Sequence, residues 1–291
     1  MADIPTIGVI GGSGLYDLPG LTRVERLRVA TPFGDPSDEI VSGRLGKTQL
    51  LFLPRHGQGH RILPHEVNAR ANIHALKQLG AEWVIAVSAV GSMREDIRPG
   101  DLVVPYQYID RTRARPSTFF GDGVAVHVAF ADPVCHTLAA WLANAADAID
   151  VRVHRGGTYI VIDGPQFSTR AESKLFRSWG VDIIGMTALP EAKLAREAEM
   201  SYATLALATD YDVWHQSEEP VTAEAVMAVL GKNVATAREV VARAAGMVKG
   251  PSPHADALKD AIMTPPDRIP PETRERLSLL LRKYLAGQGT T

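Results

Sequence analysis

Short apolar runs alternating with segments of helical period set the rhythm of this chain. Residues 6–10, 49–53, 83–87, 101–104, 158–163, 182–184 and 202–208 are of strand length and largely unbroken by polar positions. Strands buried on both faces of a parallel sheet read this way. Between them lie predicted helices. Over residues 64–79, Val67, Ala71, His74/Ala75 and Leu79 recur at helical spacing, and Gly80 follows as a stop. Residues 137–148 form an alanine-rich amphipathic segment, and Thr169-Arg170-Ala171-Glu172 is a capping box opening a helix that ends at Gly180. Pro190 opens another helix, and residues 222–248 predict a long one. Residues 21–46 read as hairpin-like strands, with turns at Thr31-Pro32-Phe33-Gly34 and Gly43-Arg44-Leu45-Gly46. The strand–helix–strand order from residue 49 to 87 predicts a parallel pair. Residues 107–132 carry Arg111, Arg113, Arg115, Gly121 and Gly123 and read as a long irregular loop, serving function or assembly. Gly250-Pro251-Ser252-Pro253 reads as a linker, with two helical pieces flanking Thr264-Pro265-Pro266 beyond it. The expected architecture is α/β: a single domain with a central mixed, largely parallel twisted sheet flanked by helices. That domain spans 1–250, and 251–291 is a helical extension packing on or near it.

Composition narrows the function classes. A net charge of −2 over 291 residues carries no polyelectrolyte signal, so nucleic acid is not an expected partner. The single Cys135 allows no intrachain disulfide and fits a reducing compartment. Asp3 stands where a signal peptide would be basic, and no apolar run approaches the ~20 residues of a membrane span. The expectation is a cytoplasmic protein without a membrane partner.

The chemistry gathers where apolar runs end, which is where open α/β sheets bind ligands. Residues 205–208 lead into Thr209-Asp210-Tyr211-Asp212. Two close carboxylates raise one another's pKa, so such a pair can hold a proton while accepting from a donor; a solvated turn is the plainer alternative. The first run delivers Gly11-Gly12-Ser13-Gly14, whose backbone N–H groups can cradle an anion. It lacks both the dinucleotide and the P-loop spacing, and a tight turn explains it equally. Another run ends in Arg55-His56-Gly57-Gln58-Gly59-His60, where Arg55 suits phosphate recognition. Ser88 and Thr187 end two more runs with hydroxyl donors. His56 and His60 lack nearby carboxylates or thiols to complete a metal site, so no metal is expected. His127, alone in the long loop, reads as structural. Donors for an anion and acceptors for an amino heterocycle imply a reaction joining the two.

With these residues in view, the chain resembles the methylthioadenosine phosphorylases of the trimeric purine nucleoside phosphorylase family. The matching stretches are Gly11-Gly12-Ser13-Gly14-Leu15, Thr31-Pro32-Phe33-Gly34, Arg55-His56-Gly57, Asn72-Ile73-His74-Ala75-Leu76, the run from Gly164-Pro165-Gln166-Phe167 through Ser168-Thr169-Arg170-Ala171-Glu172, and Ala208-Thr209-Asp210-Tyr211-Asp212. The resemblance implies phosphate contacts from Ser13, Arg55, His56, Ser88, Ala89 and Thr187. It implies Met186 on the ribose, Phe167 and Ser168 at the purine, and Asp210 and Asp212 on adenine N7 and the amino group. It implies that His127 reaches a neighbouring subunit's site near the 5′-methylthio group, with Ala223, Val226 and Met227 lining that region. It implies a homotrimer using phosphate as co-substrate and no cofactor. Ser13 and Ser88 stand where animal members usually carry Thr, keeping the hydroxyl, and Gly185 stands where Asn is expected. The resemblance fades past about Val248.

The reaction so implied is phosphorolysis of an N-glycosidic bond in S-methyl-5′-thioadenosine. Phosphate attacks C1′ as the sugar gains positive charge, and Asp210 protonates the leaving purine. The rival enzyme readings are a 6-oxopurine or methylthioinosine phosphorylase, which the aspartates disfavour, and a hydrolytic nucleosidase. A nucleotide-sensing α/β module is the non-enzyme alternative.

Overall fold

Both faces of the central strands are covered, and this is why their apolar runs are unbroken. In β5 (Trp83–Ser92), Val84, Ala86 and Val90 enter one core cluster while Trp83, Ile85 and Val87 enter the other. β11 (Ser201–Asp210) divides likewise, Tyr202, Ala206 and Ala208 against Ala203, Leu205 and Leu207. The first cluster is roofed by α1 (Ala69–Gln78) and α4 (Ala188–Glu197), the second by α2 (His136–Asp147) and α5 (Ala223–Met247). These features come from a computed structural model that describes residues 4–12, 14–215 and 223–285; the side chains of residues 223–230 and 232 lie outside the description.

The described strands form one 11-stranded sheet. The others are β1 (Thr6–Gly11), β2 (Thr22–Leu27), β3 (Ile40–Leu45), β4 (Thr48–Pro54), β6 (Leu102–Val104), β7 (Gln107–Arg111), β8 (Val153–Arg155), β9 (Thr158–Ile162) and β10 (Ile183–Gly185). The order runs β2-β3-β4-β1-β5-β10-β9-β7, with β11, β6 and β8 branching from β5. Parallel pairs predominate, and β2–β3, β3–β4, β5–β10 and β6–β11 are antiparallel. The mixed, largely parallel sheet is therefore present. One pairing differs: β4 and β5 are not adjacent, because β1 lies between them and pairs with both.

The branch point makes the crevice. β5 pairs with β1 only up to Ala86, and with β10 from Gly91 onward. On that edge residues 87–90 have no strand beside them, while β11 covers the opposite edge from Trp83 to Gly91. Backbone groups at an uncovered strand edge need partners from side chains, water or ligand.

Several boundaries move for local reasons. α1 begins at Ala69, not near Pro64, because the Asn68 side chain caps it by accepting from Ala71 N–H. The capping box at Thr169 is present and opens α3 (Arg170–Ser178). Leu189 is extended (φ −118°, ψ 137°), so the regular run of α4 begins at Pro190. Residues 107–111 are not irregular; they form β7, parallel to β9, and it is an edge strand without a buried residue. No α-helix lies between Gly250 and Thr264. That stretch is successive turns, and α6 (Pro271–Arg276) and α7 (Ser278–Leu285) both follow the prolines. Leu258, Ile269, Leu277, Leu280 and Leu281 join the first core cluster, and Ile262 bridges to Val126.

Candidate active site

Gly11, the last residue of β1, sits where a Cβ would lie 3.2 Å from the Val87 side chain and 3.4 Å from its carbonyl. A Cβ there would also clash with Leu15 Cδ1, so a larger residue would force its neighbours to shift. The close approach lets Arg55, just past β4, reach across to β5. Arg55 is 4% exposed; its Nε donates to Glu191 Oε1 (2.5 Å) and Nη2 to Glu191 Oε2 (3.1 Å). Nη1 donates to the Val87 carbonyl (2.9 Å) and Nη2 to that of Ile10 (3.3 Å). One Nη1 N–H is left over. Burial opposes the charge, but Glu191 outweighs it and holds the guanidinium protonated.

Ser88 is the next residue on the open edge, and its Oγ shares a hydrogen bond with Thr187 Oγ1 (2.8 Å). Tyr159 OH stands 3.5 Å from the same Thr187 oxygen. A Cβ on Gly185 would collide with that phenol, so the tyrosine fills the space an asparagine there would need. His56 Nδ1 lies 2.8 Å from the Ile62 carbonyl, which assigns its proton to Nδ1 and leaves Nε2 as an acceptor. Burial, reinforced by Arg55, lowers the His56 pKa to about 4, so the ring is neutral at pH 7. Arg55, His56, Met186, Thr187 and Glu191 line one narrow cleft.

Arg115 lines this cleft too, although nothing in its arginine-rich segment singled it out. Its guanidinium donates to Met186 O (2.8 Å), Leu189 O (3.0 Å), Asp163 O (2.6 Å) and Asp163 Oδ1 (3.1 Å). It thereby staples the end of β9 to the turn carrying Met186 and Thr187. Glu191 was equally hidden, because a first-turn glutamate ordinarily serves the helix dipole. The local clue was its place directly after a helix-opening proline; its partner is 136 residues away.

The acidic pair ends β11, on the other side of β5 from the open edge. Asp210 pairs with Gly91 across β11–β5, and a Cβ on Gly91 would come within 2.9 Å of Asp210 Oδ1. Gly91 is four positions past Val87, roughly 13 Å at strand rise. Asp210 Oδ1 accepts from Asp212 N–H (2.7 Å) and Oδ2 from Thr209 Oγ1 (2.7 Å). Asp212 has a left-handed φ of 51°, and its buried Oδ2 has no hydrogen-bond partner among the described residues. Burial pushes both carboxyls above their usual range; the bonds from Thr209 and Asp212 N–H pull Asp210 partly back, and the Ser173 hydroxyl and Val213 N–H do the same for Asp212. Ser168 Oγ is likewise buried without a partner, and Phe167 is 42% exposed.

Arg55, Ser88, Ala89 and Thr187 thus stand on the open side of β5, and Asp210 and Asp212 on its β11 side. His127 is exposed, and its backbone N–H is held by Ala261 O (2.9 Å) in the C-terminal segment, not by a site strand. Ser13 lies outside the described residues, as do the side chains of Ala223, Val226 and Met227. Among the described residues, no group of three His, Cys, Asp or Glu could hold a metal ion, and no helix is long and apolar enough to cross a membrane.

Comparison with known proteins gives the family. Residues 6–245 match the family model described as the phosphorylase superfamily. The S-methyl-5′-thioadenosine phosphorylase of Geobacter sulfurreducens is 56% identical over 282 residues, covering 96% of this chain and 99% of the relative. A methylthioadenosine phosphorylase crystal structure from an antarctic soil metagenomic library is 48% identical with a TM-score of 0.91, covering 96% of this chain and all of that one. A Schistosoma mansoni adenosine/methylthioadenosine phosphorylase variant, solved with methylthioadenosine, is 37% identical with a TM-score of 0.82 over 88% of this chain and 96% of that one. With fold and sequence in agreement, the chain belongs to the phosphorylase superfamily and, within it, to the family of S-methyl-5′-thioadenosine phosphorylases.

Proposed function

We propose that this chain catalyses the reversible phosphorolysis of S-methyl-5′-thioadenosine to adenine and 5-methylthioribose 1-phosphate. It is a pentosyltransferase of purine and methionine salvage. Inorganic phosphate is its co-substrate, and it needs no metal or cofactor. The observation that carries the chemistry is the pair of acids ending β11 beside the carboxyl end of β5, the strand whose other edge Arg55, Ser88 and Thr187 flank.

Phosphate lies against the Ser88 and Thr187 hydroxyls, the Ala89 backbone and the spare N–H of Arg55, with Ser13 and His56 beside it. Its negative charge faces C1′ as the glycosidic bond loosens, which is electrostatic catalysis. The bond from C1′ to the purine nitrogen breaks, its electron pair moves onto the base, and a phosphate oxygen bonds to C1′. Asp210, whose affinity for a proton burial raises, donates to N7 of the leaving purine. Asp212 Oδ2, a buried acceptor without a hydrogen-bond partner among the described residues, suits the 6-amino group; a 6-oxo purine offers no donor there. Met186 packs on the ribose, and Phe167 and Ser168 attend the base. His127, exposed on its loop, serves the 5′-methylthio end of a neighbouring subunit's site in a homotrimer, with Ala223, Val226 and Met227 lining it. The lone Cys135 is consistent with a cytoplasmic setting.

Incubation with methylthioadenosine, with and without phosphate, tests the proposal. The expected outcome is free adenine and a sugar 1-phosphate only when phosphate is present. Adenine release without phosphate would identify a hydrolase; binding without turnover, a sensing module.

A further inference from the structure

Both guanidinium groups on the cleft wall are already paired inside the chain. Arg115 is engaged by the carboxylate and carbonyl of Asp163. Arg55 is gripped by both oxygens of Glu191, a residue only 1% exposed. The remaining ring on the wall, His56, is neutral at pH 7. An incoming phosphate dianion therefore meets a site whose cations are balanced beforehand, and one carboxylate, Glu191, lines the cleft itself.

We propose that Glu191 is an internal counter-anion that phosphate must share Arg55 with, so that Glu191 sets the co-substrate affinity and holds it down. This rests on the reading that phosphate binds beside Arg55. Glu191 is held on its own account, since Tyr202 OH donates to Oε2 (3.1 Å), so it does not swing away to make room. Arg55 does not depend on Glu191 alone for its position, because the Val87 and Ile10 carbonyls also hold its head. Removing the Glu191 charge while keeping its shape therefore leaves Arg55 in place with a charge to satisfy. Phosphate is the anion within reach, and like charges a few ångströms apart in a protein interior repel strongly. The same pairing explains why the glutamate is present: a buried guanidinium without a counter-ion destabilises an empty site.

The test is direct titration of the full-length wild type, Glu191→Gln and Glu191→Asp with inorganic phosphate by calorimetry, alongside the phosphate KM at saturating methylthioadenosine. The expected result is phosphate binding at least about tenfold tighter in Glu191→Gln, with a matching fall in phosphate KM. Glu191→Asp keeps the charge, so its phosphate affinity is expected to stay within about twofold of wild type. Weaker or unchanged binding in Glu191→Gln overturns the inference. Should that variant not fold, a tenfold or greater loss in Glu191→Asp overturns it, since Glu191 would then act by positioning Arg55. A wild type that binds no phosphate removes the phosphate site, and the inference with it.

Discussion

At the Arg55 end of the site, the charged groups are answered from within the chain: guanidinium by carboxylate, carboxylate by tyrosine, hydroxyl by hydroxyl. At the Asp212 end they are not. Asp212 Oδ2 and Ser168 Oγ are buried without hydrogen-bond partners among the described residues, and burial raises the proton affinity of both acids. The contrast follows from what each end receives. Phosphate binds many proteins alike, so the first end needs a stable cradle whose order survives when empty. The base must be told from its analogues, and discrimination comes from buried polar groups that only the correct ligand satisfies. Stability is given up at the end that reads the substrate.

The largest expected effect breaks the acid end. Asp210→Asn should lower turnover of methylthioadenosine by about 10²–10⁴-fold, the usual worth of a general acid. Steady-state turnover at saturating phosphate measures it, and unchanged turnover removes Asp210 from the chemistry. Asp212→Asn should cut the preference for methylthioadenosine over methylthioinosine by roughly 10–100-fold, the cost range of one unsatisfied buried group. The ratio of the two kcat/KM values decides the point, and an unaltered ratio assigns base selection elsewhere.

The raised pKa of Asp210 supplies a third test. The working form is protonated, so kcat should fall as pH rises through the folded-state pKa, and Asp210→Asn should flatten that limb. Stability has its own sign. His56 and His254 are lowered by burial to about 4, so folding favours their neutral rings. Their contribution is complete above the ordinary histidine pKa of about 6.5 and is lost as pH falls from there towards about 4. Buried carboxyls such as Glu197 run oppositely, so the useful measurement is a difference. His254→Asn, far in sequence from the cleft residues, should lose less melting temperature than wild type between pH 7 and pH 5. Parallel curves would refute this. Smallest of all, Asp212→Asn should raise the melting temperature of the ligand-free protein by about 2 °C, because it removes a buried carboxylate oxygen without a hydrogen-bond partner among the described residues; a fall would mean the carboxylate is satisfied after all.

Much of this was legible before any coordinates. Strands buried on both faces announce themselves as unbroken apolar runs, and β5 and β11 did so. Their polar ends named Arg55, Ser88, Thr187, Asp210 and Asp212. What escaped was set by partners distant in sequence. β7 is a half-exposed edge strand whose identity depends on β9. The insertion of β1 between β4 and β5 is a matter of sheet order, which local pattern does not encode. Arg115 and Glu191 looked like ordinary charged residues on a loop and in a first helical turn. Only their contacts to Met186, Asp163 and Arg55 give them a place at the cleft.

The identity of the nucleophile is the point on which the account turns, and isotopic water resolves it. With methylthioadenosine and unlabelled phosphate in H₂¹⁸O, the account predicts 5-methylthioribose 1-phosphate whose C1–O bond carries no ¹⁸O. Free 5-methylthioribose labelled at C1 from the outset would mean that water, not the phosphate beside Arg55, attacks the sugar.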